Sequence, residues 1–238
     1  MKRPLRVLIT AGPTREPIDP VRFISNYSTG YMGARLAAES LQRGHRVTVV
    51  RGPGGEPMPP GAIVLQVEEA WEMEEAVRRE AKRADLILMA AAVSDFRPRR
   101  VAQAKLRRRG ALTIKLEASP DIIGRLPRRE GQLIVGFALE TGRVVARARR
   151  KLLSKRLDLL LAQHVQPRRR AVLGKRWRPE RANGEPSPFG RRKVRAWLLA
   201  RGGPATSLGR VSKPEVARLL LDKIEALWYG QRGSAKAP

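Results

Sequence analysis

The sequence predicts an α/β fold built on a doubly wound, mostly parallel sheet, and three observations predict it. Val7–Ala11 is a short apolar run that feeds a loop holding Gly12, Pro13, Pro17 and Pro20. That loop ends in Ser25, Asn26, Ser28, Thr29, Gly30 and Gly33, where a helical pattern begins. Asp85–Ala92, DLILMAAA, is apolar after its first residue, as a central parallel strand covered on both faces has to be. Between Val7 and Ala92 the order strand, helix, strand, strand, helix, strand is the alternation that builds parallel sheets.

From Gly30 to Arg43, Met32, Leu36, Ala37, Ser40 and Leu41 fall near helical spacing, and Gly44 ends the helix. Arg46–Val50 reads as the second strand, followed by a Gly/Pro loop, Gly52–Gly61, and a short strand, Ile63–Val67. Ala70–Arg83 carries Trp71, Met73, Ala76, Val77 and Ala81 on a charged helix. Past the central strand, Asp95–Arg109 reads as a loop rich in Arg and Lys, Leu112–Leu116 alternates like a strand, and Asp121–Leu126 suggests a short helix. Leu133–Phe137 is a buried strand, Arg143–Lys155 a helix and Leu157–Ala162 a further apolar strand. Residues 166–193, rich in Pro and Arg, read as a flexible, irregular excursion, and Val194–Ala200 as an edge strand near the C-terminus. Ser212 caps a last helix, Lys213–Leu227, with Pro214 in its first turn and Val216, Leu219, Leu220 and Ile224 on one face. The whole reads as one Rossmann-like domain over residues 1–229, with a disordered tail at 230–238.

Composition narrows the function. A chain of 238 residues, 42% hydrophobic and 30% charged, buries one substantial core and is too apolar for disorder. No apolar run approaches the length of a membrane span, and the basic start MKRPLRVLIT runs straight into the first strand without the cleavage region of a signal peptide. With no cysteine there is no disulfide, thiolate metal site or cysteine nucleophile in this chain, and two histidines, His45 and His164, argue against a His-based metal site. A cytoplasmic protein is expected. The net charge of +27 favours anionic ligands. Because 38 of the 49 basic residues are Arg, compositional bias accounts for much of it, and aromatics at 5% supply few stacking platforms for single-stranded nucleic acid.

The first loop is the most specific local signal. A strand followed by a small-residue, donor-rich turn at a helix N-terminus is a site for an anion, because unpaired backbone N–H groups and the helix dipole point there. Gly12 stands too far from Gly30-x-x-Gly33 to form the dinucleotide turn G-x-G-x-x-G.

Six later or overlapping pieces extend that signal: ITAGPTREPIDPVRFISN at 9–26, AAVSDFRP at 91–98, AKL at 104–106, SPDII at 119–123, VGFALET at 135–141 and KLLSKRLDLLLA at 151–162. With SKPEVARLLLDKI at 212–224 they resemble, in order, phosphopantothenoylcysteine synthetase (phosphopantothenate–cysteine ligase). In many bacteria this enzyme is the C-terminal half of a bifunctional coenzyme A biosynthesis flavoprotein. The resemblance implies a ligase that activates 4'-phosphopantothenate as an acyl-nucleotide, with CTP or, in some relatives, ATP, and Mg²⁺, and then joins it to cysteine. It also implies a homodimer, with 166–200 as a candidate interface, a separate decarboxylase as a partner, and no flavin in this chain, because the decarboxylase half would precede the first strand.

Carried over residue by residue, the resemblance assigns nucleotide contacts to Met89, Ala90, Ala91, Asp95, Lys105, Pro120, Asp121, Ile122, Ile123, Phe137, Lys151 and Lys155. Gly12, Ser28, Thr29, Gly30 and Ala92 fall to the substrate and its phosphate. Lys105 matches the lysine that forms the acyl-nucleotide and Asn26 the asparagine that consumes it, with Arg22 as a phosphate or carboxylate clamp. Metal ligands are not identified. Tyr31 stands where the family carries Lys, Gln163-His164 where it carries Asn-Asp, and Arg191-Arg192-Lys193 where acidic and amide residues are usual. Competing readings are a catalytically weakened nucleotide-binding homologue and a basic nucleic-acid-binding protein. A short-chain reductase is disfavoured because Tyr27 and Tyr31 are followed four positions on by Tyr31 and Arg35, not Lys.

Overall fold

A computed structural model describes residues 3–108, 110–165 and 190–234, with side chains to residue 230. In chain order the elements are β1 (Arg6–Ala11), β2 (Arg15–Pro17), β3 (Phe23–Ser25), α1 (Tyr31–Gln42), β4 (Arg46–Arg51), β5 (Ile63–Gln66), α2 (Ala70–Ala81) and β6 (Leu86–Met89). They continue with β7 (Phe96–Pro98), β8 (Leu116–Ala118), β9 (Leu133–Glu140), α3 (Val144–Ser154), β10 (Leu159–His164), β11 (Val194–Ala200), β12 (Thr206–Val211) and α4 (Lys213–Ser234).

Eight strands form one sheet in the order β12-β11-β10-β9-β6-β1-β4-β5. All pairs from β10 to β5 are parallel, whereas β10–β11 and β11–β12 are antiparallel. The chain moves outward from β1 to β4 and β5, then returns to lay β6 on the other side of β1. That reversal between β1 and β6 is the switch point at whose carboxyl end such sheets bind ligands. The doubly wound, Rossmann-like sheet expected from the sequence is the observed one.

Alternation along each central strand divides the core. Val7 and Ile9 of β1 and Leu86 and Leu88 of β6 pack with Leu36 of α1 and Leu220 and Ile224 of α4. Leu8, Ile87 and Met89 face the other way, against Met73 and Val77 of α2 and Ala148 and Leu152 of α3. Both faces are covered, which is why DLILMAAA carries no polar alternation. Gly33 lets α1 sit directly on β1, since a Cβ there would lie 2.4 Å from the Ala11 Cβ. Glu69 and Glu72 form a capping box at the start of α2, and buried Glu16 accepts the Ala70 N–H at 3.1 Å. Among the described residues, no helix is long and apolar enough to cross a membrane.

The structure corrects several local expectations. Val194–Ala200 is an inner strand; the edge is Thr206–Val211, whose Gly209 and exposed polar residues leave it without an apolar alternation. Leu112–Leu116 is not a strand; pairing begins at Leu116, against Phe96–Pro98, inside what reads as an open loop. Residues 122–125 make a turn rather than a helix, held by Arg125 N–H to Asp121 O at 3.1 Å. Gly124 and the proline after Leu126 stop it from growing. The last helix passes Leu227 and Gly230 to Ser234, so the tail boundary at 230 moves; buried Trp228 and the Tyr229 hydroxyl, donating to Arg3 O at 2.8 Å, hold it there. Of the expected excursion at 166–193, residues 166–189 lie outside the described residues, as do 235–238 of the tail.

Candidate active site

The loops that follow β1, β4 and β6 meet at the switch point and are bound to one another. Thr10 Oγ1 accepts the Ala91 N–H at 3.0 Å, Gly12 O accepts Ala92 N–H at 2.9 Å, and Thr14 Oγ1 accepts Ser94 N–H at 3.0 Å. Ala11 O accepts Gly52 N–H at 2.9 Å on the other side. The backbones are pressed so closely that a Cβ on Gly52 would lie 1.8 Å from Pro13 O, and Gly12, at φ +81°, faces Gly52 O. Gly30 sits against Gly12 in the left-handed region, at φ +85°, and begins α1. Ser28 Oγ and Thr29 Oγ1 take the Gly30 and Tyr31 N–H groups, each at 3.3 Å, but Gly30 offers no capping side chain and the first turn holds no acid. The remaining N–H groups of that turn face the switch point with the positive end of the dipole, an arrangement made for an anion. Beside it a cavity of about 460 Å³ is lined by Arg15, Arg51, Gly52, Gly54, Gln66 and Glu72.

Asn26 bridges two of these loops, its Nδ2 donating to Ala92 O at 3.0 Å and Val93 O at 3.2 Å. Its amide hydrogens therefore point at carbonyls, and donation to a developing oxyanion requires one of them to turn away. Arg22, expected as a clamp on a ligand, has another task. Its Nε donates to buried Asp19 at 2.9 Å and its Nη2 to Asp19 and to Leu106 O, the last at 2.8 Å. Asp19 also accepts the N–H groups of Val21, Arg22 and Leu106. The Arg22 guanidinium and these backbone donors hold its carboxyl well below the usual carboxylate range, against the opposing effect of burial. Leu106 is thus pinned at both its N–H and its C=O. Lys105, next to it, is exposed and has no partner among the described residues.

Of the positions assigned to the nucleotide, those other than Lys105 lie around the carboxyl end of β6 and the adjoining part of β9. Ala90, Ala91 and Ala92 are half-buried at the end of β6, and Asp95 follows, its carbonyl accepting the Ser119 N–H at 2.9 Å. Lys151 donates to Phe137 O at 2.9 Å; burial pushes its pKa down, with the charges of Asp95 and Glu140 opposing. Lys155, one turn later, pairs with Asp121, which also accepts the Gly124 N–H at 3.0 Å. Burial alone would raise the Asp121 pKa, but Lys155 and that N–H bring it below the ordinary value. Pro120 and Ile123 are half-buried beside them, whereas Met89 and Ile122 are in the core, so the latter two support the wall from behind. Phe137 is partly buried and packed on the opposite core layer.

Thr10, Thr14 and Asp19 lie within the 9–26 motif, where the sequence alone assigns them no task of their own, and burial with their hydrogen bonds shows them to be the ties between loops. At the start of α1, the Tyr31 ring is approached by Arg35 at 5.1 Å, Arg191 at 5.6 Å and Lys213 at 5.8 Å. Among the described residues no cluster of three or more His, Asp or Glu side chains could hold a metal ion by itself.

A family model, the DNA/pantothenate metabolism flavoprotein C-terminal domain, matches residues 3–177. The chain is 42% identical over 167 residues to the coenzyme A biosynthesis bifunctional protein CoaBC of Escherichia coli strain K12, a match covering 68% of this chain and 41% of that one. It thus spans about two fifths of that relative's length. Among solved structures, the C-terminal domain of a coenzyme A biosynthesis bifunctional protein CoaBC matches with a TM-score of 0.74 and 31% identity, covering 95% of this chain and 96% of that one. A Cab2 mutant in complex with phosphopantothenate-cysteine matches in fold, with a TM-score of 0.71 at 20% identity over 98% of this chain and 89% of its own.

Proposed function

The chain belongs to the DNA/pantothenate metabolism flavoprotein C-terminal domain family, and from that membership we propose that it is a phosphopantothenate–cysteine ligase of coenzyme A biosynthesis. The observation that best supports this reading is the lysine pair, Lys151 on α3 and Lys155 at its C-cap, held on Phe137 O and Asp121, alongside a sheet whose switch point carries a helix start with no N-cap side chain. Such a site neutralises several phosphates and offers no protein nucleophile, which suits a reaction between two bound substrates.

In the proposed reaction a carboxylate oxygen of 4'-phosphopantothenate attacks the α-phosphorus of CTP, and the bond to pyrophosphate breaks. The cysteine amine then attacks the acyl carbon, CMP leaves, and the amine proton passes to solvent. Lys105 is assigned to the charge on the α-phosphate, and Lys151 and Lys155 to the rest of the triphosphate. Lys155 must exchange Asp121 for phosphate to do so, a swap of one anion for another. Asn26 is assigned to the tetrahedral oxyanion of the second step. Mg²⁺ fits a site with few carboxylates, because it binds largely through phosphate oxygens and water, with Asp95 and Asp121 the carboxylates on hand. A homodimer in the cytoplasm completes the proposal. Its surface is better sought at exposed Val21, Phe23, Phe96, Val101 and Leu116, on and beside the two small hairpins, than along 190–200.

The test is pyrophosphate release by purified protein given 4'-phosphopantothenate, cysteine, Mg²⁺ and either CTP or ATP. Release that needs phosphopantothenate is expected, with CTP preferred. No release with either nucleotide sinks the ligase.

A further inference from the structure

Lys213 is 4% exposed, and among the described residues its ammonium has neither a hydrogen-bond acceptor nor an ion-pair partner. Burial is the main influence on it and lowers its pKa to about 8, with only the charge of Glu56 opposing. It is also the first residue of α4, where the helix dipole disfavours a cation. A methionine would fill the same space without either penalty. The charge is kept against stability, which calls for a ligand.

Its nitrogen is directed at the start of α1, over the ring of Tyr31, the residue that follows Gly30. The topology explains how it gets there. β11 and β12 reverse direction twice beyond β10, so β12 ends at the same side of the sheet as β1, and α4 starts where α1 starts. Arg35 approaches the same ring, and its Nε is buried with no hydrogen-bond partner. Arg191 approaches it from the turn before β11 and lies 3.5 Å from Glu56, the carboxylate that faces the cluster. Glu56 in turn donates its N–H to Thr29 O at 3.2 Å, which fixes this group to the 28–30 turn.

We propose that Lys213, Arg35 and Arg191, arranged about Tyr31, are the recognition wall of a phosphate subsite at the Gly30 helix start. Three cations against one carboxylate, with open backbone donors alongside, fit a phosphate dianion carried by either the phosphomonoester acid or the nucleotide. The proposal rests on the ligase reading for the identity of those ligands, but the subsite itself is an anion site that can be measured without turnover.

The test is calorimetric titration of the full chain, separately with inorganic pyrophosphate, CTP and 4'-phosphopantothenate, together with thermal denaturation. Lys213→Met is expected to raise Tm by a few degrees, by removing an unpaired buried charge, and to weaken at least one of the three about 10-fold or more. Loss with phosphopantothenate alone assigns the subsite to the phosphomonoester; loss with CTP and pyrophosphate assigns it to the nucleotide. Arg191→Ala, at an exposed position, is expected to weaken the same ligand about threefold or more. Lys223→Met removes an equal charge from the exposed face of the same helix and should change neither Tm nor binding. Unchanged affinity for all three in Lys213→Met overturns the subsite, as do a lower Tm, an equal loss in Lys223→Met, or no binding by the unaltered chain. Normal turnover with unchanged affinity would leave the ligase standing and the subsite lost. Anion binding that depends on Lys213 without any turnover would do the reverse.

Discussion

Asn26 and Lys105 are held by different means, and that difference sets what their replacement should do. Asn26 is tied to Ala92 and Val93 by its own amide, whereas Lys105 is positioned only through the anchored backbone of Leu106. Asn26→Asp turns a donor into an acceptor where the oxyanion of the second step would form. It is expected to slow amide formation about 100-fold while a first turnover of pyrophosphate is still released. Lys105→Gln should abolish that first burst. Rapid-quench detection of the acyl-nucleotide reads both, and full turnover in the two variants would overturn the role assignments. Both residues could be singled out because each lies in a contiguous motif. Asp19 lies in the same motif as Asn26, yet its task was not legible, because it depends on Leu106, which is remote in sequence and meets it only through folding. Its lowered pKa makes its stabilising contribution complete above the ordinary carboxylate range; it is lost only as pH falls well below that range. The loop that carries Lys105 therefore stays anchored throughout neutral pH.

At the scale of elements, α1 is the piece with least tolerance. The helix is seated on β1 through Gly33, and a Cβ there would come within 2.4 Å of the Ala11 Cβ. Alanine is intrinsically the better helix former, so a purely local view predicts stabilisation. The packing view predicts that Gly33→Ala costs about 1–3 kcal/mol in urea denaturation and displaces the Gly30 turn. A more stable variant would refute the packing view. The helices and parallel strands were readable from sequence because each has enough residues to show a period or an unbroken apolar run. β2, β3, β7 and β8, at three residues each, show neither, and their pairing depends on partners across a loop. The turn at Ile122 misled for the opposite reason: its apolar residues fit a helix, but Gly124 and the following proline leave it no room to propagate.

For the whole molecule, the net charge of +27 is a field and not a site. It is expected to give weak retention of any oligonucleotide that disappears as salt rises from about 50 to about 200 mM, while pyrophosphate release changes little. Retention that survives the salt, without turnover, would favour the nucleic-acid reading instead. The hydroxyl of Tyr229 meets the backbone of Arg3 at the amino ends of the strands, while the switch point lies at their carboxyl ends. Across the six residues of β1 that separation is roughly 20 Å. A polypeptide joined near either of these positions leaves from the back of the sheet, so fusion, tethering or even circular permutation at that seam would leave the mouth of the site unobstructed.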